Sequence, residues 1–134
     1  MALSRLLPQA ELLVVTTPQL MAQKVATRVA DMAKRSFIPL LGVIENMSYF
    51  ETNEGKTFNI FGEGGGSSLA NQFSIPLLSC IPISEDTNNE ADDGNPLILQ
   101  EKDSPTKREL LKLVKTIEEK LPPKRIENGE KQQA

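Results

Sequence analysis

The sequence predicts an α/β fold, a parallel sheet flanked by helices, from three observations. Short runs dominated by apolar residues, Glu11 to Thr16, Leu40 to Ile44 and Leu77 to Ile83, recur along the chain; such runs suit strands buried on both faces. Longer stretches with helical periodicity separate them. The chain therefore reads β-α-β-α-β-α, half of a doubly wound domain with right-handed crossovers. The middle run ends on Glu45-Asn46, polar residues at the carboxyl end of a strand, the place where open α/β sheets bind ligands.

Taken in order, Ala2 to Leu7 read as the last turns of a helix stopped near Pro8. Glu11 to Thr16 carries the β-branched weight of a buried strand. Thr17-Pro18 then predicts a helix start, with Thr17 as N-cap and Pro18 at the first helical position. Met21, Val25, Val29 and Met32 fall at helical spacing and are expected on its buried face. Lys34 and Arg35 complement the dipole at its end. Phe37-Ile38-Pro39 leads into the strand Leu40 to Ile44. Glu51 to Lys56 is a polar excursion with a turn at Asn53-Glu54-Gly55, and the glycine cluster Gly62, Gly64, Gly65 and Gly66 opens a short helix over Ser67 to Phe73.

Pro82 makes the third strand stop early or run along an edge. Glu85 to Asn95 is an acidic, turn-rich loop, and Leu97 to Leu99 is too short to assign. Ser104-Pro105 repeats the cap-plus-proline signature before a helix whose apolar face is Leu110, Leu113, Val114, Ile117 and Leu121. The domain so predicted covers 1–121, and the polar residues 122–134 read as a disordered tail. Three parallel strands are few for a sheet that needs both faces covered. The pattern implies a chain that dimerises or forms part of a larger domain.

Composition removes several function classes. With 134 residues there is room for one core, and a net charge of -3 offers no basic field for nucleic acid. There is one cysteine, Cys80, and no histidine. An internal disulfide and histidine-based catalysis are thereby excluded, and a zinc site from one chain lacks its usual ligands. No run approaches a membrane span and no signal-peptide core follows Met1, so a cytoplasmic protein without membrane or nucleic-acid partners is expected.

Four features could carry chemistry. Asn46 offers a donor and an acceptor side by side, the complement of the adenine N6/N7 edge; alternatively it caps the strand or the turn that follows. The glycine cluster resembles a phosphate cradle but lacks the lysine of G-x-x-x-x-G-K-[ST]. Its other role is a tight turn before a helix capped by Ser67 or Ser68. Cys80 is a small buried residue, or a cluster ligand only together with cysteines from another chain. The carboxylates Glu85, Asp86, Glu90, Asp92 and Asp93 lack the alternation of an EF-hand and read as a solvated loop.

Leu13-Val14-Val15-Thr16-Thr17-Pro18-Gln19, Gly42-Val43-Ile44-Glu45-Asn46-Met47-Ser48, Phe61-Gly62-Glu63-Gly64-Gly65-Gly66, Ile81-Pro82-Ile83 and Gly94-Asn95-Pro96 together resemble the Mrp/ApbC family. These are iron–sulfur cluster carrier ATPases related to MinD/ParA-type P-loop proteins. The resemblance covers roughly residues 2 to 99 and implies the C-terminal half of a Rossmann-like P-loop NTPase. It implies ATP as ligand, with Asn46 contacting adenine and the backbone around Pro82 and Ile83 closing over the base. It also implies a homodimer or a full-length family partner, and iron–sulfur apo-proteins as recipients. The family's Walker A lysines, catalytic aspartates and switch segments match positions upstream of Met1, so no residue here is assigned to phosphate, Mg²⁺ or hydrolysis. Many members place Cys-x-x-Cys shortly after the Met-Ser-Tyr-Phe segment. Here that position reads Glu51-Thr52-Asn53-Glu54-Gly55, without a thiol. A second reading is a non-enzymatic interaction module that pairs with a partner chain; a third is a MinD/ParA-like positioning ATPase fragment.

Overall fold

In a computed structural model that describes residues 5–85, 92 and 94–121, three strands form one parallel sheet. They are β1 (Leu12–Thr16), β2 (Leu40–Glu45) and, after a hairpin, β5 (Leu77–Cys80), in the order β1-β2-β5. The α/β class, the parallel pairing and all three strands agree with the sequence. β5 stops at Cys80, two residues before Pro82, and is also an edge strand, so both consequences expected of that proline are present.

Helix α1 (Leu20–Arg35) connects β1 to β2, and α2 (Gly65–Phe73) lies between β2 and β5. The two helices pack on each other and on the sheet. Their core is Val14, Ala26, Ala30, Val43, Leu69, Ala70 and Phe73. Helix α3 (Pro105–Lys120) packs against β5 and a 3-10 turn at Leu97–Leu99. Its start is as the sequence predicts: Ser104 is the N-cap, its side chain accepts from the Lys107 amide at 3.1 Å, and Pro105 opens the helix.

Three expectations are corrected. Helix α1 begins at Leu20 with Gln19 as N-cap rather than Thr17. Pro18 is a buried bend between β1 and the helix, and its carbonyl accepts the Gln23 side chain at 2.9 Å. The buried face of α1 is Ala26, Ala30 and Ala33, whereas Met21, Val25, Val29 and Met32 are exposed by 38 to 70%. Small side chains let the helix approach the sheet and α2 closely, and the large apolar face points away from the core. Helix α2 begins two residues before Ser67, and its N-cap is Gly64 at φ +77°, not Ser67 or Ser68.

The polar excursion joins the two strands of an antiparallel hairpin, β3 (Phe50–Glu51) and β4 (Thr57–Phe58), which the sequence did not suggest. On α3, Leu113 is buried, but Val114 and Leu121 are about 40% exposed, so its apolar face is only partly covered. Residues 2–4, most of the acidic loop (86–91 and 93) and the tail 122–134 lie outside the described residues, as do the expectations that rest on them.

Candidate functional site

The site forms where β2 ends. Beyond Glu45 the chain does not leave the sheet. The Ile81 amide donates to the Glu45 carbonyl at 2.8 Å, the Ser48 amide donates to the Ile81 carbonyl at 2.9 Å, and the Ile83 amide donates to the Tyr49 carbonyl at 2.7 Å. Glu45 and Ser48 thus bond to the same residue, and Asn46-Met47 bulge out between them. Bulges re-aim side chains next to functional sites. This one needs Met47 at φ +54°, a left-handed conformation that costs an L-residue about 1–2 kcal/mol.

The bulge delivers Asn46 to a cavity of about 250 Å³ whose walls include Met47, Pro82, Ile83, Thr106 and Leu110. The three residues singled out from sequence, Asn46, Pro82 and Ile83, therefore line one cavity. Whole drug-sized ligands occupy pockets of roughly 300–1,000 Å³, so this volume suits a single planar ring system. The Asn46 Oδ1 accepts the Met47 amide at 2.9 Å, which is the turn-capping role. Its Nδ2 donor makes no hydrogen bond among the described residues and is open to a ligand. The Pro82 wall is held from behind. Thr106, buried in the first turn of α3, donates its hydroxyl to the Pro82 carbonyl at 3.2 Å.

Under the bulge lies Glu45, 3% exposed. Its carboxylate accepts the Ser48 hydroxyl at 2.6 Å and the backbone amide of Gly66 in the first turn of α2. A Cβ on Gly66 would stand 2.8 Å from the Glu45 Cβ, and one on Gly65 would stand 2.7 Å from the Pro18 carbonyl oxygen. Those two glycines are there because β1, β2 and the start of α2 come too close for side chains. The α2 N-terminus, the only phosphate cradle the sequence offered, already holds an internal carboxylate that an incoming phosphate would have to displace. The Gly-Lys-Thr triplet at 55–57 lies in the β3–β4 hairpin, where a strand and not a helix follows.

Sequence reasoning placed Glu45 beside Asn46 at the ligand-binding end of the strand without giving it a role, and missed Ser48 and Thr106 as parts of this site. Glu45 carried one signal, a carboxylate closing an otherwise apolar strand. The other two carried none.

Cys80 is half-buried at the end of β5. Burial pushes its thiol pKa above the ordinary value; the Glu45 and Glu109 carboxylates add to this, and the Ser48 hydrogen bond partly opposes it. Tyr49 is likewise raised, first by burial and then by Glu109 and Glu51. A thiol kept protonated is a poor metal ligand. The sequence has no second cysteine, and no group of three or more metal-ligating side chains occurs among the described residues. The residues present do not fit an iron–sulfur cluster within one chain.

Comparison with known proteins gives the family and the fold. The profile of the ParA-type NUBPL iron-transfer P-loop NTPase family matches residues 1–118. The chain belongs to this family. It is 40% identical over 118 residues to the iron-sulfur cluster carrier protein of Mycobacterium leprae, a match covering 84% of this chain and 31% of that protein. It is 41% identical over 105 residues to that of Deinococcus radiodurans, covering 78% and 29%. The chain thus spans about 30% of the length of the curated relatives it matches. Among solved structures, a nucleotide-binding protein from Archaeoglobus fulgidus in complex with ADP is 32% identical, with a TM-score of 0.55 over 69% of this chain and 38% of that one. The cell division ATPase MinD of Pyrococcus furiosus, 21% identical, shares the fold, with a TM-score of 0.66 over 88% of this chain and 46% of that one. The parallel sheet flanked by helices is therefore that of P-loop NTPases. No helix among the described residues is long and apolar enough to cross a membrane.

Proposed function

We propose that this chain is the adenine-binding portion of an ATP-binding iron–sulfur cluster carrier of the P-loop NTPase family. It holds the base edge and leaves phosphate binding and hydrolysis to residues this sequence does not contain. The observation that carries the reading is the cavity that unites Asn46, Pro82 and Ile83. Asn46 supplies a carboxamide to the edge of the base, and the Pro82–Ile83 backbone, pinned by Thr106, forms the wall against its face. The likeness to carriers and to an ADP-bound nucleotide-binding protein supports the ligand class. The chain would pair with a second copy or with a longer family partner; the cluster would be held by thiolates of the longer partner and passed to iron–sulfur apo-proteins in the cytoplasm.

Phosphates supply most of the charge-assisted contacts in a nucleotide site. Titration calorimetry of the chain with ATP is therefore expected to show no binding at sub-millimolar concentrations, with or without Mg²⁺. Tight, Mg²⁺-dependent binding would contradict the division of labour proposed here.

A second reading is favoured by a different observation. A groove of about 390 Å³ runs between the outer edge of β1 and α1 and is lined by apolar side chains that include Val15, Val25 and Val29. Val15 and Val25 are 57% and 60% exposed. An uncovered sheet edge beside an uncovered helix face is what an interaction module would present to a partner chain. Under this reading a partner perturbs the groove while adenosine leaves the Asn46 cavity unchanged.

A further inference from the structure

We infer that Glu45 is a positioning residue for Asn46: its carboxylate staples the Asn46-Met47 bulge shut and anchors it to the start of α2. The inference deepens the proposed base-binding reading and rests on it for the use of the bulge, though not for its geometry.

The bulge interrupts a ladder that would otherwise continue past Glu45. Met47 carries left-handed strain that nothing in its own side chain offsets, because it is not glycine and is 44% exposed. Such conformations persist only where the surroundings over-determine them. The backbone closes the bulge through Ile81, which bonds to Glu45 on one side and Ser48 on the other. The Glu45 side chain closes it a second time. One carboxylate oxygen takes the Ser48 hydroxyl, so the two residues flanking the bulge are joined directly. The other takes the Gly66 amide, fixing the staple to a helix packed in the core. Both bonds need an acceptor on Glu45, and both form in a site 3% exposed, where an unmet donor is costly. Methionine in its place keeps the length of the side chain but has no oxygen to accept either donor, so both bonds are lost and the bulge is released.

The test is NMR relaxation on the ligand-free, isotope-labelled chain, read at the Met47 amide and the Asn46 side-chain amide. The wild type is expected at the rigid backbone value, an order parameter of about 0.85. Glu45→Met is expected to drop Met47 below about 0.6 and to collapse the separate Asn46 amide signals toward those of a free carboxamide. Ser48→Ala, which removes only one arm, gives the same loss in smaller degree and serves if Glu45→Met does not fold. Leu69→Val, in the core of α2, lowers the melting temperature but leaves Met47 rigid. Rigid Met47 and unchanged Asn46 signals in a folded Glu45→Met or in Ser48→Ala overturn the inference. So does loss of Met47 order in Leu69→Val, which would mean that the bulge follows global stability. Adenosine is added afterwards. If the wild type fails to respond to it, the base-binding reading fails while the relaxation data still decide the role of Glu45.

Discussion

Phe37 and Ser74 sit in the left-handed region just after α1 and α2, at φ +57° and +53°. Each closes its helix with the same pair of bonds. The Phe37 and Ile38 amides reach Lys34 and Ala33, and the Ser74 and Ile75 amides reach Asn71 and Ala70, the Schellman arrangement in which glycine is the usual occupant. Phe37 is 94% exposed, so its ring contributes no packing to offset the strain. Replacing it with glycine removes about 1–2 kcal/mol of left-handed cost and adds about 0.5–1 kcal/mol of chain entropy. Phe37→Gly is expected to raise stability by about 0.5–1 kcal/mol in urea denaturation, and a lower midpoint would contradict the assignment. Cys80 and Tyr49 make a pH prediction. Both are raised in the folded state, so above the unfolded pKa of each group the unfolded chain releases protons that the folded chain keeps. Stability is therefore full at neutral pH and falls as pH rises through the thiol and phenol range. Cys80→Ala is expected to flatten the earlier part of that fall in melting temperatures scanned toward alkaline pH. An unchanged profile would mean that the thiol is not held protonated by the fold.

At the scale of the element, α1 has two apolar faces and buries the less apolar one. Ala30 is fully buried, whereas Val25 is 60% exposed. Ala30→Leu is expected to cost about 1–3 kcal/mol through overpacking, and Val25→Lys to change stability by no more than about 0.5 kcal/mol. Chemical denaturation of the two variants checks this, and the reverse ranking would restore the face that the periodicity suggested. That face was misread because a hydrophobic stripe identifies what must leave water and not what covers it. The strands were legible, because Leu12 to Thr16 and Leu40 to Ile44 are continuous apolar runs whose composition is decided locally, although Val15 is 57% exposed at the sheet edge. The Ser104-Pro105 start was legible for the same reason, and Thr17-Pro18 failed because Pro18 is tied to Gln23 on α1 and packed against Gly65 on α2. The β3–β4 hairpin was not legible, since strands of two residues leave no period to count.

At the scale of the whole molecule, the functional end of the sheet was partly readable. Asn46, Pro82 and Ile83 were named from sequence, and they line one cavity. What holds them there was not readable, because Glu45 to Gly66 and Thr106 to Pro82 are contacts across 21 and 24 residues of chain. The molecule is asymmetric. One edge of its sheet carries a finished cavity with its wall pinned by α3, and the opposite edge, at β1, carries an apolar groove beside an exposed helix face. The finished edge bears the central claim, that the chain recognises an adenine ring through Asn46. The most direct test is an NMR titration of the labelled chain with adenosine and, separately, with guanosine, at millimolar ligand. The account predicts shifts at the Asn46 side-chain amide, Met47 and Ile83 with adenosine, weaker ones with guanosine, and none with either in Asn46→Ala. Equal responses to the two nucleosides, or an adenosine response that survives Asn46→Ala, would contradict it.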